Sequence, residues 1–338
     1  MKKTTIKDIA KKLGLVHSTV SKALKNDPLI NIKTRELIVK TAREMNYFPN
    51  LPARSLKTGK THTIGFVLPE FGSLFAMEIL KGAEQARQET NYSLHAFTGS
   101  DIFPEGTKEI GATYYAFERA INESRVDAVI YSSPMIQSME KIRKMKAGKP
   151  IVLVEARIGS YNCINFNNRM SGFISTEYLI KKKKKNIAFV VGPYESILSA
   201  RERFEGYKEA LNKYGLEYDE KNIFVIYLHY YREGQEIMER ILKSNRKFDA
   251  INCAAGDAVA FGIYNEARKL GVDIPGDMLL IGHDNHEVAE VIELTTIEQP
   301  MAEMGRKAFE IAVQAAEGKI KKRQEVEIQP KIIVRKTA

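Results

Sequence analysis

TIKDIAKKLGLVHSTVSKAL, residues 5–24, reads as two short helices around a turn. Ile6, Ile9, Ala10 and Leu13 fall at i, i+3, i+4 and i+7, one apolar face of a helix. Thr5 followed three residues later by Asp8 is a start signal for it. Gly14 is the residue type that leaves a helix through positive φ. Beyond the turn, HSTVSKAL places Val20, Ala23 and Leu24 on one face. A third stripe follows in Leu37, Ile38, Thr41, Ala42 and Met45, with Asn31 as its cap. Two helices joined by a Gly-containing turn, with a third beneath, make a helix-turn-helix, whose second helix enters the DNA major groove. His17 and Ser18 then face base edges, and Lys22 reaches a guanine or a phosphate. Thr19 and Ser21 suit phosphate oxygens, and Thr5 completes the set of candidate DNA contacts.

Charge supports this reading. Residues 1–60 hold fourteen Lys or Arg against four Asp or Glu, so the whole formal net charge of +10 sits on them. The remaining 278 residues carry 38 charges of each sign. A basic head on a neutral body is the electrostatic footprint of a protein that meets a polyanion. With 44% hydrophobic and 28% charged residues the composition is globular, and the length fits two or three domains of ~100–200 residues. The two cysteines, Cys163 and Cys253, form no CxxC pair, so neither zinc nor redox chemistry is signalled, and no metal or cofactor is expected. No stretch approaches the ~18 apolar residues of a membrane span, and no apolar run follows the charged start. A cytoplasmic protein without membrane association is expected.

NYFPNLPARSLKTGKT, residues 46–61, connects head to body. Residues 50–57 suit a helix of about two turns, too short to persist without support. Leu56, apolar on a basic segment, either wedges between base pairs in a minor groove or packs on the body as part of a plain linker. Both readings stand at this point.

From His62 the pattern changes. TIGFVL, YSLHAF, VDAVIYS, PIVLVE, NIAFVVG, IFVIYL, FDAINC and MLLIGHD have strand length, and amphipathic helical stretches separate them. Apolar strands alternating with helices predict parallel sheets covered on both faces. The alternation runs in two rounds, about 62–160 and 164–290, giving two doubly wound subdomains. Ligands bind such sheets at the carboxyl ends of the strands, and a cleft between two of them closes by hinge motion. FGSLF at 71–75, Arg203, Asp257 and Asp284 stand where strands end or helices begin. Arginine offers a planar fork of donors and aspartate accepts from paired hydroxyls, so a hydroxylated ligand fits between Arg203 and Asp284, capped by Phe71 or Phe75. Each has a plainer alternative: a solvated helix Arg, a helix-capping Asp257, core phenylalanines.

The quoted head, NYFPN, ARSLKTGKT and the R-x-x-G-Y pattern of ARERFEGYKEAL resemble the lactose/galactose repressor family along essentially the whole chain. The resemblance implies an all-α helix-turn-helix domain plus an α/β periplasmic-binding-protein-like core of two doubly wound parallel-sheet subdomains. It divides the chain into a head (1–49), a hinge helix and linker (50–60) and an effector-binding core (61–338). Within the core it gives an N-subdomain, about 61–162 and 293–322, and a C-subdomain, about 163–292 and 323–338. It makes His17, Ser18 and Lys22 base readers and Leu56 a minor-groove lever beside Ala53. Asn50 and Arg54 then lie near the backbone or groove. Arg203 and Asp284 become the leading effector contacts, followed by Ser73, Phe75 and Glu155, with Phe71 and Asp257 in the same group.

The implied activity is a sequence-specific transcriptional regulator, expected to be a repressor, whose grip on operator DNA follows a small-molecule effector. A sugar or sugar derivative is favoured, with nucleobases and sugar phosphates open. A homodimer is expected, with its face sought around Met77–Ala86, and no leucine heptad follows KIIVR at 331–335 to build a tetramer. The chain departs from the family pattern at Val16, Gly256, FGSLF, His283 and Lys181–Lys185, the last reading as a solvated helix end. A transport-type binding protein fits the core but not the basic head. No P-loop, GxGxxG, G-x-S-x-G or HExxH is present, so an enzyme is not expected.

Overall fold

Thr5 Oγ1 accepts a hydrogen bond from the Asp8 amide (3.4 Å), while Asp8 Oδ2 accepts from the Thr5 amide (2.8 Å). This reciprocal box starts α1 (Ile6–Leu13), and Gly14 at φ 66 ends it. The computed structural model describes residues 4–24, 27–47, 59–69, 72–99, 112–122, 125–132, 135–145, 147–227 and 229–338. They form two compact units, Met1–Thr61 and His62–Ala338. In the first unit, α2 (His17–Ala23) and α3 (Ile32–Glu44) follow α1. Asn31 Oδ1 accepts from the Lys33 amide (2.9 Å) and so caps α3. Ile9, Ala10, Val20, Ala23, Ile38 and Ala42 close a small core between the three helices. Val16 takes the cap position of α2, makes no side-chain bond there, and is 64% exposed.

The second unit runs β1 (Thr63–Leu68), α4 (Leu74–Arg87), β2 (Ser93–Thr98), α5 (Ala112–Asn122), β3 (Ala128–Ser132), α6 (Ile136–Lys144), β4 (Ile151–Val154) and β5 (Asn162–Phe166). A second round follows as α7 (Asn168–Lys181), β6 (Ile187–Val191), α8 (Leu198–Lys213), β7 (Ile223–Val225), α9 (Tyr231–Lys243), β8 (Ala250–Cys253), α10 (Asp257–Lys269), β9 (Leu279–Asp284), α11 (Glu287–Val291) and β10 (Thr295–Glu298). α12 (Met301–Ala316), β11 (Glu325–Ile328) and β12 (Lys331–Ile333) close the chain. One sheet has the order β11-β5-β4-β3-β1-β2 and the other β12-β10-β9-β8-β6-β7. Every pairing is parallel except β10 with β12. Both rounds thus lay down the same doubly wound order, with helices on both faces. The central strands β1, β3, β4, β6 and β8 are accordingly buried along their whole length.

The lobes exchange chain later than the sequence reading placed it. Boundaries near 162, 292 and 322 were expected. Instead β5 at 162–166 pairs with β4, β10 at 295–298 pairs with β9, and β11 at 325–328 pairs with β5. The crossings therefore fall around 167, 299–300 and 329–330. The physical reason is backbone satisfaction: at each crossing the chain first adds a strand to the sheet it is leaving, pairing that edge before it departs.

Three helix pairs are packed backbone to backbone, α9 with α10 through Gly234 and Gly262 and the two that follow. A Cβ on Gly206 of α8 would lie 2.0 Å from the Arg169 carbonyl oxygen of α7, and one on Gly172 would lie 2.0 Å from that of Arg203. A Cβ on Gly82 of α4 would lie 1.8 Å from the Ala302 oxygen of α12, and one on Gly305 1.8 Å from that of Ile79. Ile79, Gly82, Ala83 and Ala86 of the stretch Met77–Ala86 are thus buried within the chain. Leu74 and Met77 are the large apolar side chains that α4 leaves exposed, at 45% and 41%.

Candidate functional sites

On α2 the burial pattern separates two faces. Val20 and Ala23 are buried; His17, Ser18 and Lys22 are exposed, and Thr19 and Ser21 are half-buried beside them. The outward set carries donors, acceptors and a cation in about two turns, the chemistry that base edges and phosphates require. Thr5 is exposed too, but its hydroxyl is engaged with Asp8 at 2.6 Å. Asn50, Ala53, Arg54 and Leu56 lie outside the described residues.

In the second unit a cleft of about 240 Å³ opens between the sheets. Its walls follow the carboxyl ends of strands. Pro69, Ser73 and Phe75 come after β1, Glu155 after β4, Gly192 after β6, Tyr227 and His229 after β7, Ala254 after β8, and Asp284 ends β9. Parallel strands place their ends there because the chain must turn into a helix on either side of the sheet. Arg203 enters the cleft from α8. The R-x-x-G-Y motif explains its position: Gly206 lets α8 touch α7, and Tyr207 stacks on Phe189 of β6 with ring centroids 4.4 Å apart.

Arg203 is tethered three ways. Nε donates to Asn168 Oδ1 (2.7 Å), Nη1 to the Ala254 carbonyl (2.8 Å) and Nη2 to Gln299 Oε1 (3.0 Å). A guanidinium has five N–H donors, so one remains on each terminal nitrogen for a ligand. Asp284 stands at φ 112, and its Oδ1 accepts from His283 Nδ1 (2.9 Å). Burial would raise the Asp284 carboxyl, but the bond from His283 and the charge of Arg203 hold it below its ordinary value. Burial and the same arginine push His283 down to about 4, so its imidazole is neutral near pH 7. Its Nε2 faces Ser171 Oγ at 3.2 Å. The departure at Gly256 now has a cause. It sits at φ 113, and a Cβ there would lie 3.0 Å from Asp284 Oδ2. A side chain at 256 would be strained and would crowd that oxygen.

The other sequence candidates divide. Ser73 caps α4, accepting from the Ala76 amide (3.3 Å), and lines the cleft with Phe75. Glu155 is buried, accepting from the Phe166 amide (3.0 Å) and Asn168 Nδ2 (2.8 Å). Burial drives its carboxyl upward against the pull of Arg203 and those two donors. Phe71 lies outside the described residues. Asp257 needs correction as an effector contact. It is fully buried and absent from the cleft wall. Its oxygens accept from Thr296 Oγ1 (2.7 Å) and the His286 amide (2.8 Å), tying α10 to β10 and α11. Burial and the neighbouring Asp284 charge raise its carboxyl well above the usual range.

The structure adds wall residues that sequence reasoning missed. His229 Nδ1 lies 2.7 Å from the Ala255 carbonyl, which fixes the ring and directs its other nitrogen elsewhere. Tyr227, Tyr230 and His286 also line the cleft. The aromatic cluster YLHYY at 227–231, directly after a strand, was the available signal. Beside the cleft, Glu202 of α8 meets Glu155, Arg157, Asn165 and Asn168 in a small polar pocket. Burial and the Glu155 charge push its carboxyl up to about 7, against the pull of Arg157. Among the described residues, no grouping of three or more His, Cys, Asp or Glu could hold a metal, and no helix is long and apolar enough to cross a membrane.

Known proteins share both halves of this arrangement. Residues 5–50 match the family described as bacterial regulatory proteins, lacI family, and residues 176–338 match the periplasmic binding protein-like domain. The HTH-type transcriptional regulator RegA of Clostridium saccharobutylicum is 30% identical over 314 residues, 92% of each chain. The Lac repressor bound to ONPG in the repressed state has a similar fold, with a TM-score of 0.85 at 21% identity over 100% of both chains. The complex of the transcriptional regulator CelR with cellobiose gives 0.70 at 24% identity over 99% of this chain and 100% of that one. With an exposed polar helix face on a capped three-helix head, a two-lobed ligand-binding core and relatives of the same kind along most of the chain, the chain belongs to the lacI family of DNA-binding transcriptional regulators.

Proposed function

We propose that the chain acts as a homodimeric repressor in the cytoplasm, and that a sugar or sugar derivative in the interlobe cleft sets its operator affinity. The observation that carries this reading is that Arg203 and Asp284 line one cleft. Arg203 has two N–H donors left, and Asp284 Oδ2 faces Gly256, where no side chain covers it. Phe75, Tyr227 and Tyr230 flank them. Vicinal hydroxyls match a fork of donors opposite a carboxylate, and a pyranose or furanose face matches aromatic walls. The cellobiose complex of CelR, on the same fold, is in keeping with that class of ligand.

On this reading Ser73, Phe75 and Glu155 complete the effector site. His17, Ser18 and Lys22 read bases, Thr19 and Ser21 hold phosphates, and Asn50, Ala53, Arg54 and Leu56 serve the minor groove. The exposed Leu74 and Met77 of α4 belong to the dimer face. Effector binding shifts the population of lobe arrangements, with a coupling of roughly 1–3 kcal/mol between cleft and operator.

The test is a thermal-shift screen of the full chain with sugars, sugar phosphates and nucleobases, followed by mobility-shift titration on its promoter. A sugar present at about 100 times its dissociation constant stabilises the folded chain by about 2.7 kcal/mol. The same compound changes promoter affinity, and Asp284→Asn weakens its binding at least about tenfold, or ~1.4 kcal/mol. Stabilisation by a nucleobase and by no sugar overturns the effector class. Absence of a specific shift under every condition overturns the regulatory reading.

A further inference from the structure

We infer that Gln299 is a positioning residue through which the state of the cleft reaches the N-terminal lobe. This rests on the reading that Arg203 and Asp284 hold the effector. Gln299 lies at the second crossing, between β10 of the C-terminal sheet and α12, which packs on the N-terminal one. It is 2% exposed. Its Oε1 accepts from Arg203 Nη2 at 3.0 Å, and its backbone N–H donates to the Asp284 carbonyl at 3.3 Å. Both residues given to the effector therefore hold the same crossing residue, one through its side chain and the other through its backbone.

The amide orientation follows from chemistry. Arginine is donor-only, so the oxygen of Gln299 must face it. Among the described residues the amide nitrogen then meets Met304 Sδ, at 3.9 Å. A thioether is a weak acceptor. The buried amide is thus poorly satisfied at one end while its other end holds Arg203. An effector that draws on the remaining donors of Arg203 competes for the orientation that serves Gln299.

What Gln299 carries is not free to slip. Its carbonyl accepts from the Met301 amide at 2.8 Å, at the start of α12. One turn on, the Ala302 oxygen is in contact with Gly82, and Gly305 touches the Ile79 oxygen. Backbones in contact leave no compressible layer, so α12 and α4 move together. The other crossings differ. Asn168 at the first also accepts from Arg203 but passes the contact to the Glu155 side chain after β4, a side-chain link to the N-terminal lobe alongside Gln299. Gln329 at the third bonds Asn167 rather than Arg203.

The experiment uses the full chain and a duplex that the wild type selects from a random pool, with affinity referred to the active fraction. Gln299→Leu removes the acceptor and is expected to change duplex affinity about fivefold or more, the low end of typical coupling. Gln299→Glu keeps an acceptor for Arg203 and stays within about twofold, which a purely structural role for the amide would not produce. Arg203→Gln shifts affinity in the same direction as Gln299→Leu, and the double variant moves no further than the larger single one. Should Gln299→Leu fail to fold, Gln299→Met, of matching length, replaces it. If Arg203→Gln shifts affinity while the Gln299 variants do not, or if the two effects add, the relay is overturned and control from the cleft stands. If neither residue affects the duplex, both fall.

Discussion

Gly256 and Asp284 form a unit that neither residue suggests alone. Asp284 holds a positive φ, and the absence of a side chain at 256 keeps one of its oxygens open to the cleft. Asp257, next in the chain, does the opposite: both of its oxygens are spent on Thr296 and His286 inside the C-terminal lobe. Adjacent positions thus divide into one that clears the site and one that frames it. Glu202 offers a test of how burial governs charge here. Its carboxyl is raised from 4.5 to about 7 in the folded chain, so between those values the folded state binds more protons than the unfolded one. Stability should then fall as pH rises through this window. Calorimetric melting across it should show a shallower decline for Glu202→Gln than for the wild type. A residual slope is expected, because Glu155 and Asp257 are raised in the same direction. Identical slopes for variant and wild type would refute this placement of Glu202.

Elements of the core are positioned by close helix crossings as much as by side-chain packing. Arg203 reaches the cleft because Gly206 and Gly172 bring α8 and α7 into backbone contact. In an isolated helix Gly→Ala would be favourable by up to ~1 kcal/mol. At Gly206 the added methyl would stand 2.0 Å from a carbonyl oxygen, so the sign reverses. Gly206→Ala is expected to destabilise the core by about 1–3 kcal/mol in denaturant titration and to weaken effector binding by displacing Arg203. A variant as stable as the wild type would show that α7 and α8 separate without penalty. On the head, Val16 precedes α2 without supplying a side-chain cap. That is the local outcome of the departure noted at this position.

At the scale of the whole molecule, charge is divided between a cationic first unit and a neutral second one. Phosphate neutralisation releases counterions, so operator affinity should fall linearly with the logarithm of salt concentration. Lys22→Ala should lower the magnitude of that slope by about 1 if Lys22 meets a phosphate, and leave the slope unchanged while relaxing sequence preference if it meets a guanine. A salt-independent affinity would sink the electrostatic reading of the head.

Helical and strand periodicities, together with the confined positive charge, were enough to define the three-helix head, its outward face and the two doubly wound rounds. Those signals are local: a spacing of three and four residues, or an apolar run, records which face of one element is buried. Resemblance added Arg203 and Asp284, which do meet in one cleft. Three things could only come from the assembled chain: the crossings at 167, 299–300 and 329–330, the withdrawal of Asp257 from the site, and the convergence of Arg203 and Asp284 on Gln299. Each depends on residues distant in sequence, and one chain does not state which strand an edge will recruit or which carboxylate finds donors inside. Burial and hydrogen-bond satisfaction settle those matters, and both are properties of neighbours rather than of the residue.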